Sequence, residues 1–435
     1  MTYEEAINFV QSAAAAGIKP GLERISALAA RLGNPHRRLR CVHVGGTNGK
    51  GSTVSMLASI LAAGGYKVGM FTSPHLHSYT ERFRINGRTI PPGRFAAVVA
   101  EVKPELRALG EAGVVPTEFE IHTALAFKYF AEEGVDMAVI EVGLGGRFDA
   151  TNIILPEVTV ITNVAVDHTD YLGDDIRGIA GEKAGIAKRR VPMVTGADGE
   201  ALAVIKWSCQ ALHAPLYVLG RDFYPLPNEE GLGGQVLDVY GWWGESRDLI
   251  IRVLGRHQQE NAAIAVAAAR LLAENGWRLD GSAVKKGLAT AVWPGRFEII
   301  SGQPTVVLDG AHNTAGAVAL KQALEDYFPH RRLVLVMGML ADKERHQAVG
   351  FLCPMAAAVV VTRPPGLRAG DWRELATFAR QEAAAVYEVE DIPAAVAQGL
   401  ALAGPEDVVV ITGSLYLIAE ARAVLVGQEA LGLNL

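Results

Sequence analysis

The apolar run Leu39–Val44 leads into His43-Val44-Gly45-Gly46-Thr47-Asn48-Gly49-Lys50-Gly51-Ser52-Thr53, and an unbroken helical stretch, Thr53–Ala63, follows at once. A strand that feeds a helix through a glycine-rich turn with a single lysine predicts a parallel α/β unit with a phosphate cradle at the carboxyl end of the strand. Gly45, Gly46, Gly49 and Gly51 let backbone N–H groups approach phosphate oxygens that a Cβ would hold off. Lys50 is suited to neutralise the β- and γ-phosphates, and Ser52 or Thr53 to offer a hydroxyl to Mg²⁺. The spacing departs from G-x-x-x-x-G-K-[ST], since Val44 stands at the first glycine and Gly51 separates Lys50 from Ser52. A plain glycine turn is the alternative.

The same alternation continues along the chain. Val- and Ile-rich runs recur at Lys67–Phe71, Met137–Val142, Val158–Val164 and Val191–Thr195, most of them separated by helical patterns. This implies a doubly wound, mostly parallel sheet. Short helices are expected around Tyr3–Ala16 and Leu22–Leu32. Gln235–Tyr240 and Leu249–Leu254, joined across Gly241–Ser246, read as a hairpin, and the alanine-rich Asn261–Glu274 reads as a buried helix. Proline and glycine interrupt the pattern at Trp293-Pro294-Gly295-Arg296. Beyond it Thr305–Leu308, Leu333–Met337, Ala358–Thr362, Ala385–Val389 and Val408–Ile411 again alternate with helices. The fold class is therefore α/β, with a large P-loop-type domain over residues 1–295 and a smaller Rossmann-like domain over 296–435.

Composition narrows the function classes. A chain of 435 residues, 50% apolar and 20% charged, has full-sized cores, and a formal charge of −6 is no nucleic-acid or membrane footprint. Small-molecule partners are expected, with neither nucleic acid nor membrane. Cys41, Cys209 and Cys353 are far apart, which argues against a disulfide framework or structural zinc. The N-terminus lacks an export signal, so a cytoplasmic protein is expected.

In open α/β sheets ligands sit beyond the carboxyl ends of the strands. There the sequence delivers Thr72-Ser73-Pro74-His75, Glu141 with Gly143–Asp149, and Asp167-His168. Hydroxyl, carboxylate and imidazole groups of this kind can complete Mg²⁺ coordination together with phosphate oxygens; singly, Glu141 also reads as a helix cap and His168 as a turn residue. Lys183 lies among small residues in Ile179–Lys188. Burial would lower its pKa and make it a base or a site of carbamylation, and spacing alone favours the plainer reading, an ion pair with Glu182 or a nearby acid. In the second unit Asp309, His312 and Asn313 follow a strand and open a helix, and Met337–Lys343 and Ile411–Tyr416 repeat that design.

These ordered motifs resemble the folylpolyglutamate synthase/dihydrofolate synthase family, within the Mur ligase superfamily of ATP-dependent amide-forming enzymes. The likeness spans nearly the whole chain, through His43–Ser52, Phe71–Leu76, Glu81–Gly87, Thr117–Glu120, Glu141–Asn152, Asp167–Lys188, Asp309–Asn313 and Gly413–Tyr416. It implies ATP contacts at Gly49, Lys50, Gly51, Ser52, Asn261, Arg296 and Asp309. It also implies Mg²⁺ ligation by Ser52, Ser73, Glu141 and His168, with a carbamylated Lys183 supporting a metal site. Pterin recognition maps to Thr117, Glu118, Phe119 and Glu120 and to Phe148, Asp149 and Ala150, and the incoming glutamate to His312 and Ser414. Lys50, Glu141, His168, Lys183 and His312 are the implied catalytic set. Gly45 departs from the family's common alanine, and Asp342-Lys343-Glu344 from its Asp-Lys-Asp.

The implied substrates are ATP, L-glutamate and dihydropteroate or a reduced folate, joined through an acyl phosphate by an enzyme expected to be a monomer and to act on both acceptors. Closure of the smaller domain about Trp293–Arg296 would shield the acyl phosphate from water. Two alternatives stand beside this reading. A Mur-type ligase acting on another carboxylate would usually carry an extra N-terminal domain, and this chain reaches its phosphate loop by residue 45. A P-loop NTPase switch would not need the acidic and imidazole groups plus a second domain.

Overall fold

The apolar runs of the first part pair as strands. In the computed structural model, which describes residues 1–17, 19–300 and 302–427, one sheet is built from β1 (Cys41–Gly45), β2 (Val68–Phe71), β3 (Phe83–Ile85), β4 (Arg88–Thr89), β5 (Met137–Glu141), β6 (Val158–Ile161), β7 (Met193–Thr195) and β8 (Leu216–Val218). Their order is β4-β3-β2-β5-β1-β6-β7-β8. The pairings from β2 to β8 are parallel, and β3 and β4 close one edge antiparallel.

Alternate residues of these strands feed two cores, because successive side chains point to opposite faces. Val42, Val44, Met137 and Val139 pack with the helices Lys50–Ala63 and Arg256–Glu274. Cys41, Ala138 and Ile140 pack with Tyr3–Gln11, Glu23–Arg31, Pro92–Glu111 and Glu118–Glu133. β1 lies between β5 and β6, so the chain departs from it in both directions. The crevice at such a reversal is where an open α/β sheet receives its ligand.

A second, antiparallel sheet follows: β9 (Phe223–Gly231), β10 (Gly234–Gly241) and β11 (Gly244–Ile251). Sequence pattern missed β9, whose Pro225, Pro227 and Asn228 read as a loop. As an edge strand it tolerates prolines, because it needs ladder hydrogen bonds on one side only. The hairpin turn is tighter than expected: Gly241 pairs with Gly244, so Trp242-Trp243 alone makes the turn. The alanine-rich helix begins earlier than expected, at Arg256, and its Ala262, Ala263, Ala265 and Ala267 are fully buried.

The third sheet has the order β12-β13-β17-β14-β15-β16, from β12 (Glu298–Ile300), β13 (Thr305–Asp309), β14 (Leu333–Met337), β15 (Ala356–Val361), β16 (Val386–Glu388) and β17 (Val408–Thr412). All its pairings are parallel except that of β12, a strand absent from the sequence reading along with β3, β4 and β8. Each of these is two or three residues long and gives too little periodicity to register. Residues 428–435, the end of the expected second unit, lie outside the described residues. Across the junction, Arg256 Nε and Nη2 donate to Asp326 at 2.9 and 2.8 Å, and Leu76 packs against the core that holds Leu417 and Ile418.

Candidate active site

The turn after β1 is held by the segment after β6. Thr162 Oγ1 donates to the Asn48 carbonyl, Asn163 Oδ1 accepts from Asn48 N at 2.9 Å, and Thr47 Oγ1 exchanges hydrogen bonds with Ala165 N and O, both 3.0 Å. Gly46 has φ 138 and passes so near Thr162 that a Cβ would meet its hydroxyl at 1.9 Å, so the turn closes only around glycine. Gly49, at φ 79, caps the helix Lys50–Ala63, and Asn261 lies against it, with Oδ1 2.3 Å from where a Cβ would stand. In the first turn of that helix Ser52 Oγ and Thr53 Oγ1 are buried without a hydrogen-bond partner. Two orphaned hydroxyls beside a glycine-rich helix N-terminus are open to phosphate or metal.

Lys50 folds back on its own loop, Nζ donating to Gly46 O at 3.2 Å and Thr47 O at 2.8 Å. Burial lowers its pKa, opposed by the negative charges of Glu141 and Asp167. Glu141, the last residue of β5, is buried and accepts from Ser73 N at 3.0 Å. Burial pushes its carboxyl up to about 7, even against the nearby Lys50 charge and that hydrogen bond. Lys183 is 4% exposed and donates to Gly46 O at 3.0 Å. Desolvation and the Lys50 charge bring its ammonium down to about 7. The ion pair with Glu182 does not form, because Glu182 faces Arg147 at 3.6 Å instead, and among the described residues Lys183 has no carboxylate within 4.0 Å.

Asp167 ties the two parts of the chain together. Its carboxylate takes Lys343 Nζ at 2.6 Å and Asn313 Nδ2 at 2.9 Å, with His312 Nε2 at 3.7 Å and His168 Nε2 at 3.9 Å. Burial alone would raise its pKa, but His312, His168 and Lys343 outweigh it and hold the carboxyl well below the usual range. Asn48 and Asn313 exchange amide hydrogen bonds at 3.2 and 3.1 Å across the same gap. On the first domain's side of that gap Gly46, Thr47, Lys50, Asp167, His168 and Lys183 line a small pocket of about 20 Å³. Desolvation brings His168 down to about 4, Lys343 and Lys50 reinforcing the shift against Asp167.

Several residues implied by resemblance are occupied locally. Thr117 and Glu120 form the capping box of the helix Glu118–Glu133, and Glu120 also pairs with Arg24 at 3.1 Å. Of that group Glu118 accepts from Tyr79 Oη at 2.8 Å and Phe119 packs against Gly143. Asp149 gathers Gly143 N, Leu144 N and Thr151 N at 3.0, 2.9 and 3.0 Å, so its carboxylate shapes the glycine loop. Phe148 is about half exposed and Ala150 is buried. Asp309 spends both oxygens on Phe297 N and Ala311 N, each at 2.8 Å. Arg296 lies half-buried beside it, its Nη1 2.2 Å from where a Cβ on Gly310 would stand. His312 Nδ1 donates to Gly310 O at 2.7 Å, and Ser414 caps the helix Leu415–Val426 by accepting from Tyr416 N at 3.2 Å.

Apart from Ser52 in the helix after the loop, the expected metal residues fall into two pairs near Lys50, Ser73 with Glu141 and His168 with Lys183. Among the described residues no three His, Cys, Asp or Glu side chains converge into a complete cage. The donors present, orphaned Ser52 Oγ and the buried Glu141 carboxylate, are hard oxygens that fit Mg²⁺, an ion that keeps waters and phosphate oxygens in its shell. Lys343, Asn48, Asn163 and Asn313 were missed as site residues. Only their place beside strand ends marked them, and their partners are more than 100 residues away.

A phosphate cradle on one sheet, facing a second α/β unit latched over it, is the arrangement of a Mur ligase. Residues 44–269 match the Mur ligase middle domain, and residues 295–415 the Mur ligase glutamate ligase domain. Over 427 residues the chain is 39% identical to the dihydrofolate synthase/folylpolyglutamate synthase of Bacillus subtilis, covering 97% of this chain and 98% of that protein. Among solved structures, Mycobacterium tuberculosis folylpolyglutamate synthase complexed with ADP is 37% identical with a TM-score of 0.92, covering 98% of this chain and 99% of that one. E. coli FolC in complex with DHPP and ADP is 32% identical with a TM-score of 0.89, covering 99% of both chains. The chain belongs to the folylpolyglutamate synthase/dihydrofolate synthase family of the Mur ligases.

Proposed function

We propose that this protein is an ATP-dependent ligase that joins L-glutamate to a folate-type carboxylate, taking both dihydropteroate and reduced folates. The observation that carries the reading is the convergence of Lys50, Glu141, Asp167 and Lys183 under a second domain, in a chain similar to such enzymes over its full length. The acceptor carboxylate attacks the γ-phosphate of ATP, releasing ADP and leaving an acyl phosphate. The α-amine of glutamate then displaces phosphate and forms the amide.

Lys50, freed from its loop carbonyls, neutralises charge on the transferred phosphoryl group. Ser52, Ser73, Glu141 and His168 are the residues that would hold Mg²⁺, which supplies charge neutralisation on the phosphates when bound. Asn261, against Gly49, and Arg296 face the nucleotide from the other side. Lys183 is fitted to carbamylation, because burial leaves a large share of its amine uncharged near neutral pH. The domain division is placed at 295/296, supported by a six-stranded sheet drawn only from residues after Arg296. The proposed form is a monomer acting in the cytoplasm. Among the described residues no helix is long and apolar enough to cross a membrane.

The test is incorporation of labelled L-glutamate, dependent on ATP and Mg²⁺, with dihydropteroate and with tetrahydrofolate in parallel. Incorporation with both supports the dual reading, and with one assigns a single activity. ATP turnover that needs neither glutamate nor a folate acid would favour a nucleotide switch.

A further inference from the structure

Arg82 stands at the mouth of β3, where its carbonyl accepts from Thr72 N at 3.2 Å. Most of its half-buried neighbours are paired, Arg24 with Glu120, Arg84 with Glu81 and Arg422 with Glu298. Among the described residues Arg82 has no carboxylate within 4.0 Å. Its guanidinium is instead held in place. Nε donates to His75 Nδ1 at 2.9 Å, the Tyr79 ring lies 5.6 Å from Cζ, and His75 and Tyr79 sit ring to ring at 4.4 Å. Because Nε is used, the free edge is the Nη1/Nη2 fork, the geometry that takes a carboxylate through two parallel hydrogen bonds. The 2.9 Å contact makes His75 Nδ1 the acceptor of the Arg82 Nε–H.

The strand order sets Arg82 apart from the phosphate loop. β5 and β2 separate β3 from the phosphate loop after β1, about 14 Å at ordinary strand spacing. Glu141 lies between them and feels both Lys50 and Arg82. The loop that carries His75 and Arg82 also reaches the second domain, through Leu76 in its core and His77 Nε2, 3.2 Å from Arg422. Tyr416 is within electrostatic reach of Arg82 from that side.

We propose that Arg82, aimed by His75, binds a substrate carboxylate on the far side of Glu141 from the phosphates. This rests on the ligase reading, which supplies two such groups: a carboxylate of the incoming glutamate, and the α-carboxylate of a glutamate already on the folate. Glu118 and Glu141 act on Arg82 only from beyond ion-pair distance, so a bound anion would be its first direct charge partner.

Steady-state kinetics of the full chain, with dihydropteroate and with tetrahydrofolate as acceptors, test this in Arg82→Ala, Arg82→Lys and His75→Ala. KM for one carboxylate substrate should rise about tenfold or more in Arg82→Ala, less in the other two, with KM for ATP unchanged. Guanidinium ion should partly restore Arg82→Ala, which a structural defect would not allow. A rise in KM for glutamate with both acceptors assigns the incoming amino acid; a rise for tetrahydrofolate but not dihydropteroate assigns the α-carboxylate. Unchanged KM for every carboxylate substrate, or a rise confined to ATP, overturns the proposal. Should Arg82→Ala misfold, Arg82→Lys and His75→Ala decide by the same readouts. Failure of the unaltered chain to incorporate glutamate with either acceptor would overturn the ligase reading, and this proposal with it.

Discussion

Lys50 and Glu141 lie so near each other that burial and mutual attraction set the charge of both. Lys50→Ala removes the cation from the cradle, and Glu141→Gln removes a charge without changing shape. Each is expected to cut glutamate ligation at least 10²-fold, with circular dichroism unchanged; activity retained in both would sink the site assignment. Lys183→Ala should be inactive and recover with short carboxylic acids, which replace a carbamate but not an ammonium.

The buried histidines set the acid limb of stability. Desolvation holds His43, fully buried with Nε2 2.8 Å from Thr151 Oγ1, down near 3. Its folded pKa is depressed below the ordinary 6.5, so its contribution is fully present above 6.5 and is lost as pH falls toward 3, while the unfolded chain takes the proton first. The slope is at most about 1.4 kcal/mol per pH unit. Urea midpoints should therefore fall below pH 6.5, and His43→Gln should flatten that decline. A stability flat between pH 6.5 and 5 would contradict it.

At the scale of elements, the phosphate loop is shaped by its neighbour as much as by its glycines. Thr162 and Asn163 at the end of β6 hold the backbone of Asn48, and the same segment runs on to Asp167 and His168. Thr162→Val keeps the volume and removes the hydroxyl, so KM for ATP should rise several-fold while the melting temperature moves by only a few degrees. An unchanged KM would show that the loop holds itself. The alternation of strands and helices was legible because the parallel strands are buried on both faces and read as continuous Val and Ile runs. The short edge strands β3, β4, β8 and β12, and the proline-bearing β9, were not, because pairing alone makes them strands.

Across the whole molecule, the two domains are latched over the crevice by Asp167–Lys343 and by the Asn48–Asn313 amide pair. Asp167 and Lys343 have side chains 8% and 5% exposed, so removing Lys343 takes away the nearest cation and leaves Asp167 to Asn313, His312 and His168, a loss of about 3 kcal/mol. Lys343→Met should loosen the latch and enlarge the radius of gyration in small-angle scattering of the free protein. An identical scattering curve would mean that the Arg256–Asp326 pair and the docking of Leu76 suffice.

The sequence by itself determined the α/β class and the glycine-rich turn between a strand and a helix, and it marked Lys50, Glu141, His168 and Lys183 as candidates, because local pattern and residue chemistry are written in consecutive positions. Tertiary structure decided the partners. That Lys183 turns to Gly46 rather than Glu182, that Asp149 and Asp309 serve backbone turns, and that Asp167 meets Lys343 depends on strand order and domain packing. Those contacts join residues far apart in the chain, and burial rather than spacing sets their charge.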